Sequence, residues 1–185
     1  MAEITTLLKA ARVDKINPTD QLFALLYDQL LGVVRRQLRR QDHRRALDTT
    51  VVLHESYLRL RNQGVLGLES RNHFLAYAAR VIRTVIIDIA RGRLAEKRGG
   101  GERPVTLRTS IAESASVSDE QLVRLNDALE ELAGIEPRLA SLVEMRYFAG
   151  LSEAEAAEAL GVAKRTAQRD WEKARLFLQA NLRDE

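Results

Sequence analysis

GLSEAEAAEALGVAKRTAQRDWEKAR, residues 150–175, decides how the second half of this chain folds. Ser152-Glu153-Ala154-Glu155 is a capping box: a hydroxyl for the N3 amide, and a carboxylate three residues on that reaches back. It predicts a short helix over 153–160. Gly161, inside Leu160-Gly161-Val162, supplies a tight turn. A longer helix is expected from about 163 to 181, with Ala167, Trp171 and Ala174 on its inward face. Ala163 stands where a serine or aspartate would cap that helix, and alanine forfeits the bond.

A short helix, a glycine turn and a longer helix make the helix-turn-helix pattern. Such a unit lays its second helix in the DNA major groove. Lys164, Arg165, Thr166, Gln168 and Arg169 fall at or near the N-terminal end of that helix, where side chains reach base edges. Arginine bonds guanine in a bidentate way, and glutamine does the same with adenine. Lys173 and Arg175 suit phosphates, as does the helix N-terminus. The span 163–176 holds five basic and two acidic residues. Many helical hairpins with a glycine turn bind no DNA, so the pattern alone leaves a pure interaction role open.

Working upstream, Ser118-Asp119-Glu120-Gln121 is a second capping box, opening a helix with Leu122, Leu125, Leu129 and Leu132 as its buried stripe. Gly134 is expected to end it, and Pro137 to open another helix, about 137–148, that Gly150 ends. Residues 119–185 thus read as a small all-α domain. Residues 99–118, GGGERPVTLRTSIAESASVS, lack helical period and carry four serines. They read as a flexible linker.

The first half is also helical. After an N-terminal arm, 1–17, with a short helix at 3–12, Asn17-Pro18-Thr19 signals a start. Leu22, Leu26, Leu30, Val33, Val34 and Leu38 then recur at helical spacing up to about Gln41. RALDTTVVLHESYLRLR, 45–61, is an amphipathic helix over about 48–62, closed by Asn62-Gln63-Gly64. NHFLAYAARVIRTVIIDIARGR, 72–93, is apolar over most of its circumference, so it is expected to be buried on most sides. Arg80, Arg83, Thr84, Asp88 and Arg91 read as one polar stripe, with Asp88 free to pair with Thr84 or Arg91 one turn away. Residues 18–98 form the first domain.

The chain has 185 residues, 45% apolar and 5% aromatic, with few glycines and prolines, and the fold class is all-α: two helical domains joined by a linker. Cysteine is absent, which excludes disulfides and thiolate metal sites and fits a reducing cytoplasm. No secretory leader and no membrane-spanning run is seen. The net charge is only +3, but it is clustered. Residues 35–45 hold six arginines and one aspartate, residues 80–98 five arginines and a lysine against two acids, and the opposing acids gather between 113 and 158. Basic patches on a near-neutral chain point to a polyanion partner.

Taken together, the two halves resemble one family. From about Asp20 to Leu182 the chain resembles a bacterial RNA polymerase sigma factor of the small extracytoplasmic-function group, within the sigma-70 family. ESYLRL followed by NHFLAYAARVIRTVIIDIARGR is similar to region 2, and GLSEAEAAEALGVAKRTAQRDWEKAR to region 4. HESYLRL, AEKRGGG and the RDWEKAR ending resemble one subgroup. The resemblance implies that region 2 docks on the β′ subunit of core polymerase, recognises the −10 element and opens the duplex. Region 4 would bind β and read the −35 element. Carried over by position, the helix around 48–60 is the β′-docking surface, with Asp48, Thr50, His54, Glu55, Tyr57 and Arg59 as its expected contacts. The loop 62–73 and the next helix hold the non-template strand, through Asn72, His73, Arg80, Arg83 and Arg91; Phe74 and Tyr77 suit core packing better than base stacking. No cofactor, metal or catalytic role is implied.

One departure matters. Relatives carry Asp-Ala-Glu-Asp ahead of the apolar part of the docking helix, and this chain has Asp48-Thr49-Thr50-Val51. A phosphate on Thr50, or on Thr49 as the weaker candidate, would restore the missing negative charge and suit a helix N-terminus. The plain alternative is that a threonine simply caps the helix. Regulation would then come from a serine/threonine kinase, or from an anti-sigma factor as is usual in the family. Against the sigma reading stands a helix-turn-helix regulator that binds DNA without polymerase. An enzyme is disfavoured: His43, His54 and His73 lack ligand spacing, and Gly99-Gly100-Gly101 follows a helix and precedes no Lys-Ser or Lys-Thr.

Overall fold

Leucine and valine spacing builds the first long helix, α1 (Thr19–Leu38), and Leu22, Leu26, Leu30, Val33 and Val34 are all buried along it. The computed structural model describes residues 4, 6–8, 18–38, 48–63, 68–98 and 118–182. Residues 4 and 6–8 are helical, and Ile4 and Leu8 are buried. The expected linker apart from Ser118, the arginines at 39, 40, 44 and 45, and the loop at 64–67 lie outside the described residues. Among the described residues there is no strand, and the fold is all-α.

Helix α2 (Thr49–Gln63) buries Val52, Leu53, Ser56 and Leu60 against α1 and α3. Helix α3 (Arg71–Arg98) is the spine of the molecule. Phe74, Ala78, Ala79, Ile82, Val85 and Ile86 are buried along it, as a helix apolar on most sides requires. It runs on beyond the 72–93 stretch to Arg98, because Leu94, Ala95, Glu96 and Lys97 are all strong helix formers. Full burial of a side chain such as Phe74 contributes about 1.5–3 kcal/mol.

In the second half follow α4 (Asp119–Ile135), α5 (Pro137–Val143), a π-helical segment (Glu144–Ala149), α6 (Glu153–Ala159) and α7 (Lys164–Leu182). Both capping boxes form as expected: Gln121 N–H donates to Ser118 Oγ, and Ser118 N–H to Gln121 Oε1. Glu155 N–H donates to Ser152 Oγ, and Ser152 N–H to Glu155 Oε2. Gly134 does not end α4, which passes through it to Ile135. The break belongs to Pro137, which has no N–H to continue the ladder.

The single helix expected over 137–148 is instead an α turn that widens into the π segment after Val143. Gly150 closes it with φ 76°, and both Gly150 and Leu151 donate to the Met145 carbonyl. A Cβ at Gly150 would also run into the Arg36 guanidinium from α1. One apolar cluster joins both halves: Val85 and Ile86 of α3, Leu129 and Leu132 of α4, and Met145 and Phe148 of the π segment all belong to it.

Candidate nucleic-acid interface

Helix α7 turns Ala167, Asp170 and Ala174 inward, which leaves Arg165, Gln168, Arg169 and Lys173 at the surface. The alanines allow close approach. Asp170 is pinned by Arg138, whose Nε donates to it at 2.8 Å. Trp171 is half-buried under the Arg146 guanidinium, 4.3 Å from the ring centroid, so it packs rather than points outward. Ala163 holds the N-cap position with its carbonyl alone, accepting from Thr166 and Ala167. Lys164 leans to Glu153 at 3.8 Å. Among the described residues Arg165, Arg169, Lys173 and Arg175 form no ion pair. Thr166 is half-buried, and Arg175 lines a groove beside Trp171 and Leu178, at the edge of the basic face.

Helix α3 is arranged otherwise. Arg80, Thr84, Asp88 and Arg91 are exposed, but Arg83 leaves their stripe and is 4% exposed. Its Nε and Nη2 donate to Glu144 Oε1 at 3.1 and 2.6 Å, and its Nη1 to Asn126 Oδ1. Phe148 lies beneath the guanidinium. Burial holds the Glu144 carboxyl above the usual carboxylate range, against the opposing pull of Arg83. Arg91 donates to Asp127 at 2.9 Å, and His73 Nε2 donates to the Ala159 carbonyl. Asn72 is half-buried and accepts from Arg71. Asp88 pairs with neither Thr84 nor Arg91; Arg59 of α2 donates to it at 2.7 Å, while Thr84 Oγ1 donates back to the Arg80 carbonyl. Phe74 is fully buried, and Tyr77 is half-buried with its hydroxyl donating to Gln63.

On α2 the threonines are not the cap. Asp48 is: its Oδ1 accepts from Thr50 N–H at 2.7 Å. Thr49 is half-buried and Thr50 exposed. His54 is exposed, whereas Tyr57 turns inward, donating to Asp20 at 2.9 Å and stacking 4.8 Å from the Phe23 ring. That bond to a carboxylate holds the Tyr57 phenol above its ordinary value. Glu55 and Arg59 bond each other and are half-buried. Two large apolar groups, Val51 at 58% and Leu58 at 38% exposed, complete the outward face with Asp48, Thr50 and His54. Their spacing of seven, two helical turns, was a legible signal for a partner-facing stripe.

The structure thus separates a helix-turn-helix with an open basic face from a basic spine that is covered. The ECF sigma factor family model matches residues 1–184. The chain belongs to the ECF sigma factor family. Its role is in transcription initiation, as a DNA-binding partner of RNA polymerase. No curated protein matches the chain. Among the described residues no helix is long and apolar enough to cross a membrane. In this ECF sigma factor the two halves also meet through residues that the sequence analysis did not single out: Arg71 and Arg93 on α3 face Glu155 and Asp119, while Asn126, Glu130 and Glu144 face Arg83 and Asp127 faces Arg91. The signal was there, in acids gathered between 113 and 158 opposite arginines gathered earlier.

Proposed function

We propose that this ECF sigma factor is an alternative sigma factor that binds core polymerase and directs initiation at its own set of promoters. The observation that carries this reading is the family match over nearly the whole chain. Residues 18–98 serve as region 2, 99–118 as the linker and 119–185 as region 4, in the subgroup marked by HESYLRL and RDWEKAR. The outward face of α2 docks on β′ through Asp48, Thr50 and His54, with Val51 and Leu58 as its apolar anchors. Arg165, Gln168 and Arg169 read the −35 element, with Lys164, Thr166, Lys173 and Arg175 on its backbone. Asn72, His73, Arg80, Arg83 and Arg91 serve the −10 strand.

Phosphorylation of Thr50, with Thr49 as the weaker candidate, sets the strength of docking in this reading. Asp48 does the capping, so the exposed Thr50 hydroxyl is spared that duty. A phosphate there adds about −1.5 to −2 charge beside a helix N-terminus that favours it. Run-off transcription with core polymerase on a promoter bank tests both parts, using the unmodified protein and Thr50→Glu. Specific initiation by either supports the sigma role, and initiation by Thr50→Glu alone supports the switch. Equal activity of the two moves regulation to an anti-sigma factor. Silence from both, with clean duplex binding by the full chain, favours a regulator acting without polymerase.

A further inference from the structure

The arginines of α3 meet acids of their own chain, pair by pair along the helix. Arg71 faces Glu155, Arg83 faces Glu144 and Glu130, Arg91 faces Asp127, and Arg93 faces Asp119. All four arginines belong to the first half and all five acids to the second. From Arg71 to Arg93 the row is about 33 Å long at helical rise. Positive groups spread along one rigid element are also what a nucleic-acid backbone can engage.

We propose that the acidic side of the second half is an internal competitor for the polyanion that α3 binds. Its carboxylates occupy the places of phosphates, and the free protein is held closed with the paired arginines of α3 engaged. The inference rests on the sigma-factor reading only for naming that polyanion as promoter DNA. Arg83 is the decisive residue. Its guanidinium is enclosed by Glu144, Asn126 and the Phe148 ring, so no strand can reach it unless the halves separate. Arg91 and Arg93 sit at the rim, with side chains 51% and 26% exposed, where phosphates can displace carboxylates one at a time.

The cover is selective. It falls on α3, while the outward face of α2 and the basic face of α7 stay open. Polymerase docking therefore needs no prior opening in this scheme, and duplex contact by α7 needs none either. Strand capture does, and it comes last: the entering strand takes over the arginines as the acids leave. Closure is then a check against binding stray single strands away from polymerase.

The test uses the full chain, whose lack of native cysteine allows clean labelling. Dyes go on Ala24→Cys in α1 and Glu131→Cys in α4, both exposed positions outside the paired row. Energy transfer reports closure, and titration with a short single-stranded oligonucleotide reports the α3 face. Glu144→Gln with Asp127→Asn is expected to lower transfer and to tighten single-strand binding roughly tenfold or more, with helix content unchanged. Folded variants with unaltered transfer and affinity would overturn the proposal. Should the Glu144 variant lose its helical signal, Asp127→Lys at the exposed rim carries the same two readouts: lower transfer with tighter binding supports closure, and no change in either overturns it. Run-off transcription by the parent protein separates the two readings. Initiation without any opening sinks the latch alone, and opening in a protein that never initiates sinks the sigma reading alone.

Discussion

Two basic helices carry the charge chemistry of this ECF sigma factor, and the fold treats them oppositely. On α7 the buried side is made of Ala167, Asp170 and Ala174, and the arginines project to solvent without ion pairs among the described residues. On α3 the chain supplies its own acids, and one arginine is buried with its partner. Charge of the same sign therefore means unequal availability. A solvated arginine is free to exchange water for phosphate at little cost. A buried one must first leave a partner, because a buried charge without one is strongly disfavoured.

The sharpest way to break this comparison is to replace one arginine on each helix. Arg83→Met leaves Glu144 buried without its partner and is expected to destabilise the fold by about 3–5 kcal/mol. Arg165→Met on α7 is expected to change stability by less than about 0.5 kcal/mol. Urea denaturation of the two proteins measures both, and equal losses would end the distinction. Next in size comes the functional counterpart. Arg165→Ala is expected to weaken promoter duplex binding by about 1–3 kcal/mol with an unaltered melting temperature, read by fluorescence anisotropy with the polymerase-bound protein.

The smallest effect sharpens the contrast through pH. Glu155 is held below its usual value by the Ser152 hydroxyl, then by the Ser152 N–H, with Arg71 adding to the effect. Its contribution to stability is present above the unfolded carboxylate value, about 4.3, and is lost as pH falls through the lower folded value. Glu144 is shifted the other way by burial, with Arg83 and Arg80 of α3 pulling it down and Glu130 of α4 pushing it up. Its contribution is full below the unfolded value and is lost as pH rises through the folded one. Stability measured from pH 3 to pH 7 should thus respond with opposite slopes to Glu155→Gln and Glu144→Gln. Ser152→Ala, which removes the cap that depresses Glu155, is expected to cost about 1 kcal/mol near neutral pH.

Much of the fold was legible because its causes are local. A capping box spans four residues, and the stripe of α1 repeats every three or four, so both can be read without knowing any neighbour. The same holds for the outward face of α7, set by its small inward residues. What could not be read depended on partners far along the chain. Arg83 looks like a member of a polar stripe in sequence, and only Glu144, 61 residues away, makes it a buried group. Asp88 has candidate partners one turn off, yet Arg59, 29 residues upstream, takes it. Gly134 suggests a helix end by residue type alone, whereas the missing amide of Pro137 sets the boundary. Asp48, rather than the threonines beside it, caps α2 because its carboxylate reaches the N2 amide.

The π segment at Glu144–Ala149 sets an angular phase. A helix that admits one extra residue per widened turn rotates the chain downstream of it by about 100° relative to a plain α-helix. Glu144 begins that segment facing α3, and α6 and α7 are carried beyond it. Shortening the segment by one residue would swing α7 around the α5 axis like a gear slipped by one tooth. The direction in which α7 faces is fixed by that single added residue as well as by the side chains on α7 itself.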